Sequence, residues 1–366
     1  MPGSAIRSKD VVINGRFLTQ RLSGVQRYAR EIVTALDGLI ANDPDGLGTR
    51  KWHLAVPPGA TVDLPLQAIR TMPIGRRTGH GWEQVDLARA ARGARLVNLG
   101  NSGPVLHRDS IVVIHDAAPY RTPENFGRSY ALLHRMMGRV LSRTARLATV
   151  SEFSRGELSQ VLRIPAFRIT VVNNGCDHLM GRAKSPDVLK RLGLGQGRYF
   201  LFVGNPTPNK NLPIALEAFR HLDRKDVRFV VAGALDKSVF GGDGPAAMPG
   251  LIVAPGLPDE DIAGLYAGAA AHLFPSRYEG FGIPPLEAMI CGCPVIAADI
   301  PVVREVCGDA AAYFTPGDVA ELTMLMARHL DDPEAARSRS AAAGARVAHF
   351  TWNRAARSLA EAAITP

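Results

Sequence analysis

Long apolar runs are missing from this 366-residue chain. None approaches the roughly 18–20 residues that a membrane-spanning helix needs. The start, Met1-Pro2-Gly3-Ser4, has no apolar stretch of the secretory kind, so a cytoplasmic location is expected. Cysteine is scarce as well. Cys176, Cys291, Cys293 and Cys307 form no C-x-x-C pair, and buried reduced thiols are expected rather than a metal site or disulfides. Aromatic residues make up 6% of the chain, too few for an interleaved base-stacking surface, and with no binding motif present a nucleic-acid partner is excluded. There is no fixed-period repeat and no low-complexity tract. A dinucleotide fingerprint is absent too: the first strand–helix junction reads Asn14-Gly15-Arg16-Phe17-Leu18-Thr19, and Gly280-Phe281-Gly282 lacks the third glycine. This removes a nicotinamide dehydrogenase.

What is present is a globular composition, 46% hydrophobic and 21% charged, in a chain long enough for two domains. The charge is uneven. Residues 1–180 carry 24 Lys+Arg against 14 Asp+Glu, and the remainder is nearly balanced. A basic half of this kind points to an anionic partner. Short β-branched runs alternate with helical patterns, the signature of parallel α/β units. Strands are expected at 10–14, 52–56, 95–99, 110–115, 147–151 and 168–172, then at 199–203, 228–232, 251–253, 271–274, 294–297 and 311–314. Helices are expected at 25–40, 82–91, 124–143 and 152–162, with Ser151 as an N-cap. Gly181, Pro186, Gly193, Gly195 and Gly197 mark 181–197 as a linker between a first domain, 1–180, and a second, 198–350. The fold class is α/β, two doubly wound parallel sheets, with ligands at the carboxyl ends of the strands.

The sharpest feature runs from Ser276 to Met289, directly after the apolar run Ala271–Phe274. Two glutamates, Glu279 and Glu287, stand eight residues apart. Gly280 and Gly282 clear space for a ligand against the backbone. Pro284 and Pro285 suit a first helical turn, where free N–H groups meet an anion. Glu287, expected in that turn, is placed to accept hydrogen bonds from a diol, and Glu279 to hold sugar hydroxyls. The plainer alternative is a Gly/Pro turn with two solvated carboxylates. In Gly204-Asn205-Pro206-Thr207-Pro208-Asn209-Lys210, a lysine sits at a strand–helix junction, where it neutralises a diphosphate or simply ends a surface loop. The run Val112–Ile114 ends in His115-Asp116, a pair that serves a ligand or holds itself together structurally. Gly24 opens a long helix. Arg135, Arg139, Arg143 and Arg146 recur along one helical face, with Leu132, Leu133, Met136, Val140 and Leu141 as its apolar face. That stripe is either solvated or meets anionic lipid.

The segment from Glu279 to Glu287 resembles the E-x7-E signature of glycosyltransferase family 4, the retaining nucleotide-sugar enzymes. The segments Cys291–Ala297 and Arg304–Val306 are similar to the family as well, and the resemblance covers nearly the whole chain. It implies a GT-B fold, two Rossmann-like domains facing across a cleft. The second would hold the donor and the first the acceptor, with residues 351–366 as a helix crossing back. It implies His115, Lys210 and Glu279 as catalytic residues. Donor contacts would come from Gly24, Asp116, Asn205, Arg277, Gly280, Phe281, Gly282, Ile283 and Glu287. Many relatives carry arginine where Asn205 stands, and Arg277 is the candidate replacement. Asn174-Gly175-Cys176-Asp177 resembles the family's turn at the end of the first domain. The implied reaction is transfer of a hexose, mannose favoured, from a GDP- or UDP-sugar to a glycan or lipid-linked acceptor in bacterial polysaccharide assembly. No cofactor or metal is expected. A leaving phosphate oxygen would take the acceptor's proton. The basic first domain would lie against the inner face of the membrane. The competing readings are an epimerase or phosphorylase on the same fold and a non-catalytic nucleotide-sugar-binding protein.

Overall fold

The computed structural model describes residues 10–43, 46–181, 185, 187–233, 248–341 and 343–365. The N-terminal tetrapeptide and Pro186 lie outside them. The chain divides into two compact units, Met1–Gly175 with Thr351–Pro366, and Cys176–Phe350.

The first unit is built on β1 (Val11–Asn14), β2 (Trp52–Val56), β3 (Arg70–Pro73), β4 (Arg95–Asn98), β5 (Ser110–Val113), β6 (Arg146–Thr149) and β7 (Ile169–Val171). Their order in the sheet is β3-β2-β1-β4-β5-β6-β7, and every pairing is parallel. Helices cover both faces, so the central strands read as continuous apolar runs, β1 being buried at every position. Helix α1 (Gly24–Asn42) buries Tyr28, Ile32, Val33, Leu36 and Ile40 at helical spacing. Helix α2 (Arg128–Thr144) lies between β5 and β6. Helix α3 (Glu152–Leu162) starts where Ser151 Oγ accepts from the Ser154 N–H at 3.0 Å, the expected cap.

The structure differs from the sequence reading at several places in this unit. Strand β3 was not anticipated: it is a largely exposed edge ending in Pro73, where no apolar alternation is needed. The helix expected at 82–91 is π-helical over Trp82–Leu87 before a short α-helical stretch, Ala88–Ala90. Helix α2 begins at Arg128, after a 3-10 turn, Pro123–Asn125. It ends at Thr144, so Arg146 leaves the arginine stripe and opens β6. The apolar face also points the other way. Of the five residues expected to form it, only Leu141 is buried. Leu132, Leu133, Met136 and Val140 are exposed, while Ala131, Met137, Gly138 and Ser142 face inward with Leu141. Close packing against Tyr120 requires it: a Cβ at Gly138 would come within 2.5 Å of the Tyr120 hydroxyl.

The second unit holds β8 (Tyr199–Val203), β9 (Arg228–Ala232), β10 (Leu251–Val253), β11 (Ala271–Phe274), β12 (Val295–Ala298) and β13 (Ala312–Phe314). They are parallel in the order β10-β9-β8-β11-β12-β13. Helix α4 (Leu212–Leu222) follows β8, and α5 (Ile283–Ile290) follows β11. The 181–197 stretch is more than a connector. It contains a short helix, Asp187–Arg191, whose Val188 is fully buried, and a Cβ at Gly264 would come 2.5 Å from the Ser185 carbonyl oxygen. All four cysteines are buried and none is joined in a disulfide, and burial pushes the Cys307 thiol up to about 12.

After Phe350 the chain returns to the first unit as α6 (Trp352–Ile364), which packs on α1. The buried Trp352 ring meets Tyr28 edge-on at 6.0 Å. Gly175 is glycine because of this approach. Its φ is not positive, yet a Cβ there would lie 2.4 Å from the Trp352 backbone nitrogen. At the far end, Arg95 and Arg146 donate to the Thr365 carbonyl at 2.5 and 2.6 Å, and Arg95 also to that of Ala363 at 2.7 Å. Cations thus meet the negative end of the helix. Trp352→Ala is expected to remove about 3–5 kcal/mol from the first unit, read as a drop in its thermal unfolding transition while the second unit's is unchanged.

Candidate active site

Parallel sheets gather the carboxyl ends of their strands along one edge, and a crevice opens where the chain order reverses. In the second sheet that point lies between β8 and β11. The loop after β8 carries Lys210 and the loop after β11 carries Glu279, so adjacency of the two strands brings together residues 69 positions apart. Lys210 Nζ lies 2.8 Å from Glu279 Oε1, which also accepts from Ser276 Oγ at 2.9 Å. The ammonium sits 5.4 Å from the centroid of the Phe274 ring. The loops are tied by main chain: the Arg277 N–H donates to the Asn209 carbonyl at 2.8 Å. The Arg277 side chain is exposed, as is Asn205. Gly204 has φ +122, and its carbonyl occupies the space that a side chain on Gly233 would need, 2.2 Å from that Cβ position.

Gly282, with φ +102, turns the chain into α5, a conformation that requires glycine. Phe281 is buried and meets Phe350 edge-on at 5.4 Å, so its ring belongs to the core and only its backbone is available to a ligand. Gly280 and Ile283 are buried too. Because Pro284 and Pro285 carry no N–H, the helix start offers fewer donors than expected. Glu287 falls in the second turn of α5, not the first. There it is buried, with Tyr266 Oη donating to Oε2 at 3.1 Å and His178 Nε2 3.0 Å from Oε1. Burial, together with this carboxylate, drives the Tyr266 hydroxyl far above its ordinary pKa.

The first sheet reverses order between β1 and β4. Asn14 and Asn98 end these strands, and Asn14 Nδ2 donates to Asn98 Oδ1 at 3.0 Å and to Glu83 Oε1 at 2.8 Å. Glu83 is fully buried. It also receives Ser102 Oγ at 2.9 Å, with Arg16 Nε at 3.2 Å and His80 Nδ1 at 3.1 Å. Burial alone would raise its carboxyl. The His80 bond, the Arg16 charge and the Asn14 and Ser102 bonds outweigh that and hold it below the ordinary carboxylate value. His115, after β5, is buried, with Nε2 bonded to the Leu99 carbonyl at 2.9 Å and its ring edge-on to Tyr28 at 4.7 Å. A carbonyl only accepts, so Nε2 carries the proton and Nδ1 is the nitrogen left for a ligand. Burial lowers this imidazole to about 4. Asp116 Oδ1 caps the Ala118 N–H at 2.8 Å. A Cβ on Gly24, the first residue of α1, would meet open space.

The model of the family "Glycosyl transferases group 1" matches residues 189–346, the part of the chain that holds Lys210, Glu279 and Glu287. O-antigen chain mannosyltransferase B of Escherichia coli is 30% identical over 254 residues, 66% of this chain and 67% of that protein. The chain belongs to the group 1 glycosyl transferases. This agrees with the family 4 resemblance, and the two parallel-sheet units give the glycosyltransferase the α/β architecture expected. The transferase is 27% identical to O-antigen chain mannosyltransferase RfbU of Salmonella typhimurium, over 84% of its own length and 87% of the other's. Among solved structures, Anabaena HepE in complex with UDP and glucose overlays with a TM-score of 0.74 at 17% identity, covering 97% of this chain and 99% of that one. WaaG, a glycosyltransferase involved in lipopolysaccharide biosynthesis, gives 0.71 at 15%, covering 97% and 100%. At such identities these two likenesses concern the fold alone.

The sequence reading of this glycosyltransferase missed Ser276, Tyr266, His178 and the Glu83 cluster. An asparagine ending each of two apolar strands, and one carboxylate among Trp82, Val85 and Leu87, were the available signals for that cluster. No described helix of the transferase is long and apolar enough to cross a membrane.

Two outcomes follow from these buried groups. Glu83→Ala removes the acceptor shared by Arg16, His80, the Asn14 amide and the Ser102 hydroxyl, and is expected to cost about 3–5 kcal/mol in unfolding experiments. His115 and His272, a fully buried residue of β11 whose Nδ1 is bonded to the Leu201 carbonyl at 3.0 Å, are both lowered to about 4 from 6.5, chiefly by burial. Between those values the unfolded chain binds protons that the folded one refuses, so stability falls as the pH drops from 6.5 towards 4. Melting temperatures from pH 7 to 5 should decline, and less steeply in His115→Asn and His272→Asn variants.

Proposed function

We propose that the enzyme transfers mannose, with retention of anomeric configuration and without a metal, from a nucleotide diphosphate sugar to a glycan or lipid-linked acceptor in polysaccharide assembly. The observation that carries this is the Lys210–Glu279 pair at the reversal point of the second sheet, 2.8 Å long and two-sided in chemistry. A donor diphosphate takes the ammonium, and the sugar hydroxyls take the carboxylate. The buried Glu287, braced by Tyr266 and His178, accepts from the ribose diol. Lys210 then stabilises the charge that develops as the nucleoside diphosphate departs, and a departing phosphate oxygen accepts the acceptor's proton. His115, in the first unit, is neutral at physiological pH and offers Nδ1 to a hydroxyl rather than supplying charge. Mannose is favoured by the names of the relatives. HepE is complexed with UDP and glucose, so UDP donors stand beside GDP-mannose as candidates. A cytoplasmic site of action accords with four buried cysteines that form no disulfide. A lipid-linked acceptor would bring the basic first unit to the inner membrane surface.

A thermal-shift panel of GDP-mannose, GDP, UDP-glucose and UDP tests the donor. GDP-mannose should raise the melting temperature most, and no shift with any of them would remove the reading. Glu287→Ala should weaken donor binding at least tenfold by calorimetry. Lys210→Ala should lower kcat by about 10²–10³ with a smaller change in KM. Undiminished transfer in EDTA and an α-linked product by NMR complete the test.

A further inference from the structure

At the carboxyl edge of the first sheet an aromatic row leads to the Glu83 cluster. Phe126, ahead of α2, lies nearly parallel to Tyr130, with centroids 5.5 Å apart and planes at 14°. Tyr130 meets His134 at 4.1 Å, and His134 meets His80 edge-on at 6.4 Å. Tyr130 and His134 stand in line with Met137 and Leu141, on the inward side of α2, rather than with its exposed leucines. Tyr130 nevertheless keeps 45% of its surface open. Burial raises its hydroxyl above the ordinary pKa, the Asp116 charge adds to the rise and the Arg16 charge opposes it, so both groups stand close to the ring. Every nitrogen of the Arg16 guanidinium is engaged: Nε lies 3.2 Å from Glu83, Nη2 donates to Ser102 Oγ at 2.8 Å and Nη1 faces His80 Nε2 at 3.5 Å. His80 Nδ1 reaches Glu83 at 3.1 Å; a carboxylate only accepts and a guanidinium only donates, so Nδ1 carries a proton and Nε2 offers its lone pair. Glu83 itself stands in the π-helical stretch Trp82–Leu87, a rare geometry that recurs at functional sites.

Two features therefore meet at one edge, an aromatic row partly open to water and a neighbouring cation that is already neutralised. Such rings attract partners that are apolar on a face and polar at the rim. A sugar ring has that character, since its C–H groups cover the aromatic surface while its hydroxyls reach the polar groups around it. A phosphorylated ligand needs a cation to spare. With Arg16 committed to Glu83, and the Asp116 carboxylate beside Tyr130, an anion would give up its water here for little return. We propose that Phe126 and Tyr130 form the stacking platform for an uncharged sugar ring of the acceptor glycan, and that Glu83, a positioning residue, sets a preference for uncharged over phosphorylated sugars by neutralising Arg16. The inference rests on the reading of a glycan acceptor and narrows it to a chain end whose stacked ring carries no phosphate.

Saturation-transfer NMR on the full-length protein tests this, with α-mannobiose, maltose and chitobiose as neutral probes and mannose 6-phosphate and glucose 6-phosphate as charged ones. At least one neutral probe should bind, and more tightly than either phosphorylated sugar. Phe126→Ala with Tyr130→Ala should weaken that binding about tenfold, the scale of a lost aromatic contact, with a nearly unchanged melting temperature. Tyr130→Phe, which keeps the ring, should bind almost as the wild type does. In transfer assays the double variant should raise the acceptor KM with a smaller change in kcat. Glu83→Gln keeps the shape and removes the charge. It should turn the preference severalfold towards the phosphorylated sugars, a change that loss of structure alone does not produce. Absence of binding by every neutral probe, a wild-type preference for the phosphorylated sugars, or an unaffected aromatic variant would overturn the proposal. The GDP-mannose thermal shift is the separate control. If it persists while these tests fail, only the platform falls; if it is missing in the wild type while the rings still bind a saccharide, the donor reading falls and the platform stands.

Discussion

A single geometric constraint governs both units: in a parallel sheet every strand delivers its last residue to the same edge. Apolar runs buried on both faces leave no room for chemistry within the sheet, so polar residues appear where the strands stop. Asn14, Asn98 and His115 finish strands or follow them directly in the first unit. The Gly204–Lys210 and Ser276–Glu279 loops do so in the second. The reversal of chain order then decides which loops become neighbours, so Asn14 meets Asn98 in the first unit and Lys210 meets Glu279 in the second despite their distance in sequence.

Much of this was legible in the residues. The β-branched runs marked all but one of the strands, because a doubly buried strand must be continuously apolar. Strand β3 escaped because an exposed edge ending in Pro73 needs no such pattern. The arginine stripe was placed on a helix by its spacing. That spacing could not say that the helix turns its large apolar side chains outward, since the inward fit is set by Gly138 against Tyr120. Arg146 followed the stripe numerically but lies past the helix end, where it meets the carbonyls of α6.

Around Glu279 and Glu287, glycine and proline punctuation marked the loop and the helix start that follows it, but not the partners of the two carboxylates. That Glu279 is shared by Lys210 and Ser276, and Glu287 by Tyr266 and His178, depends on contacts between distant segments that no local pattern encodes. Glu83 shows the same limit from the other side. Within the sequence it looks like one charged residue on a helix, yet in the fold it is the hub that joins Asn14, Arg16, His80 and Ser102. Two glycines exchanged their expected roles: Gly282, read as clearing space, holds a positive φ that requires glycine, whereas Gly175, read as part of a turn, is needed for the close approach of Trp352.

The lysine–glutamate contact of the second unit has a bearing on discrimination. On the proposed reading, a bare phosphate ion that wins the ammonium strands the carboxylate, which then loses its main counter-charge. A compound presenting phosphate and hydroxyls together re-partners both ends at once. On that reading the Lys210–Glu279 bond competes with any ligand, and it disfavours small anions relative to molecules that answer both ends.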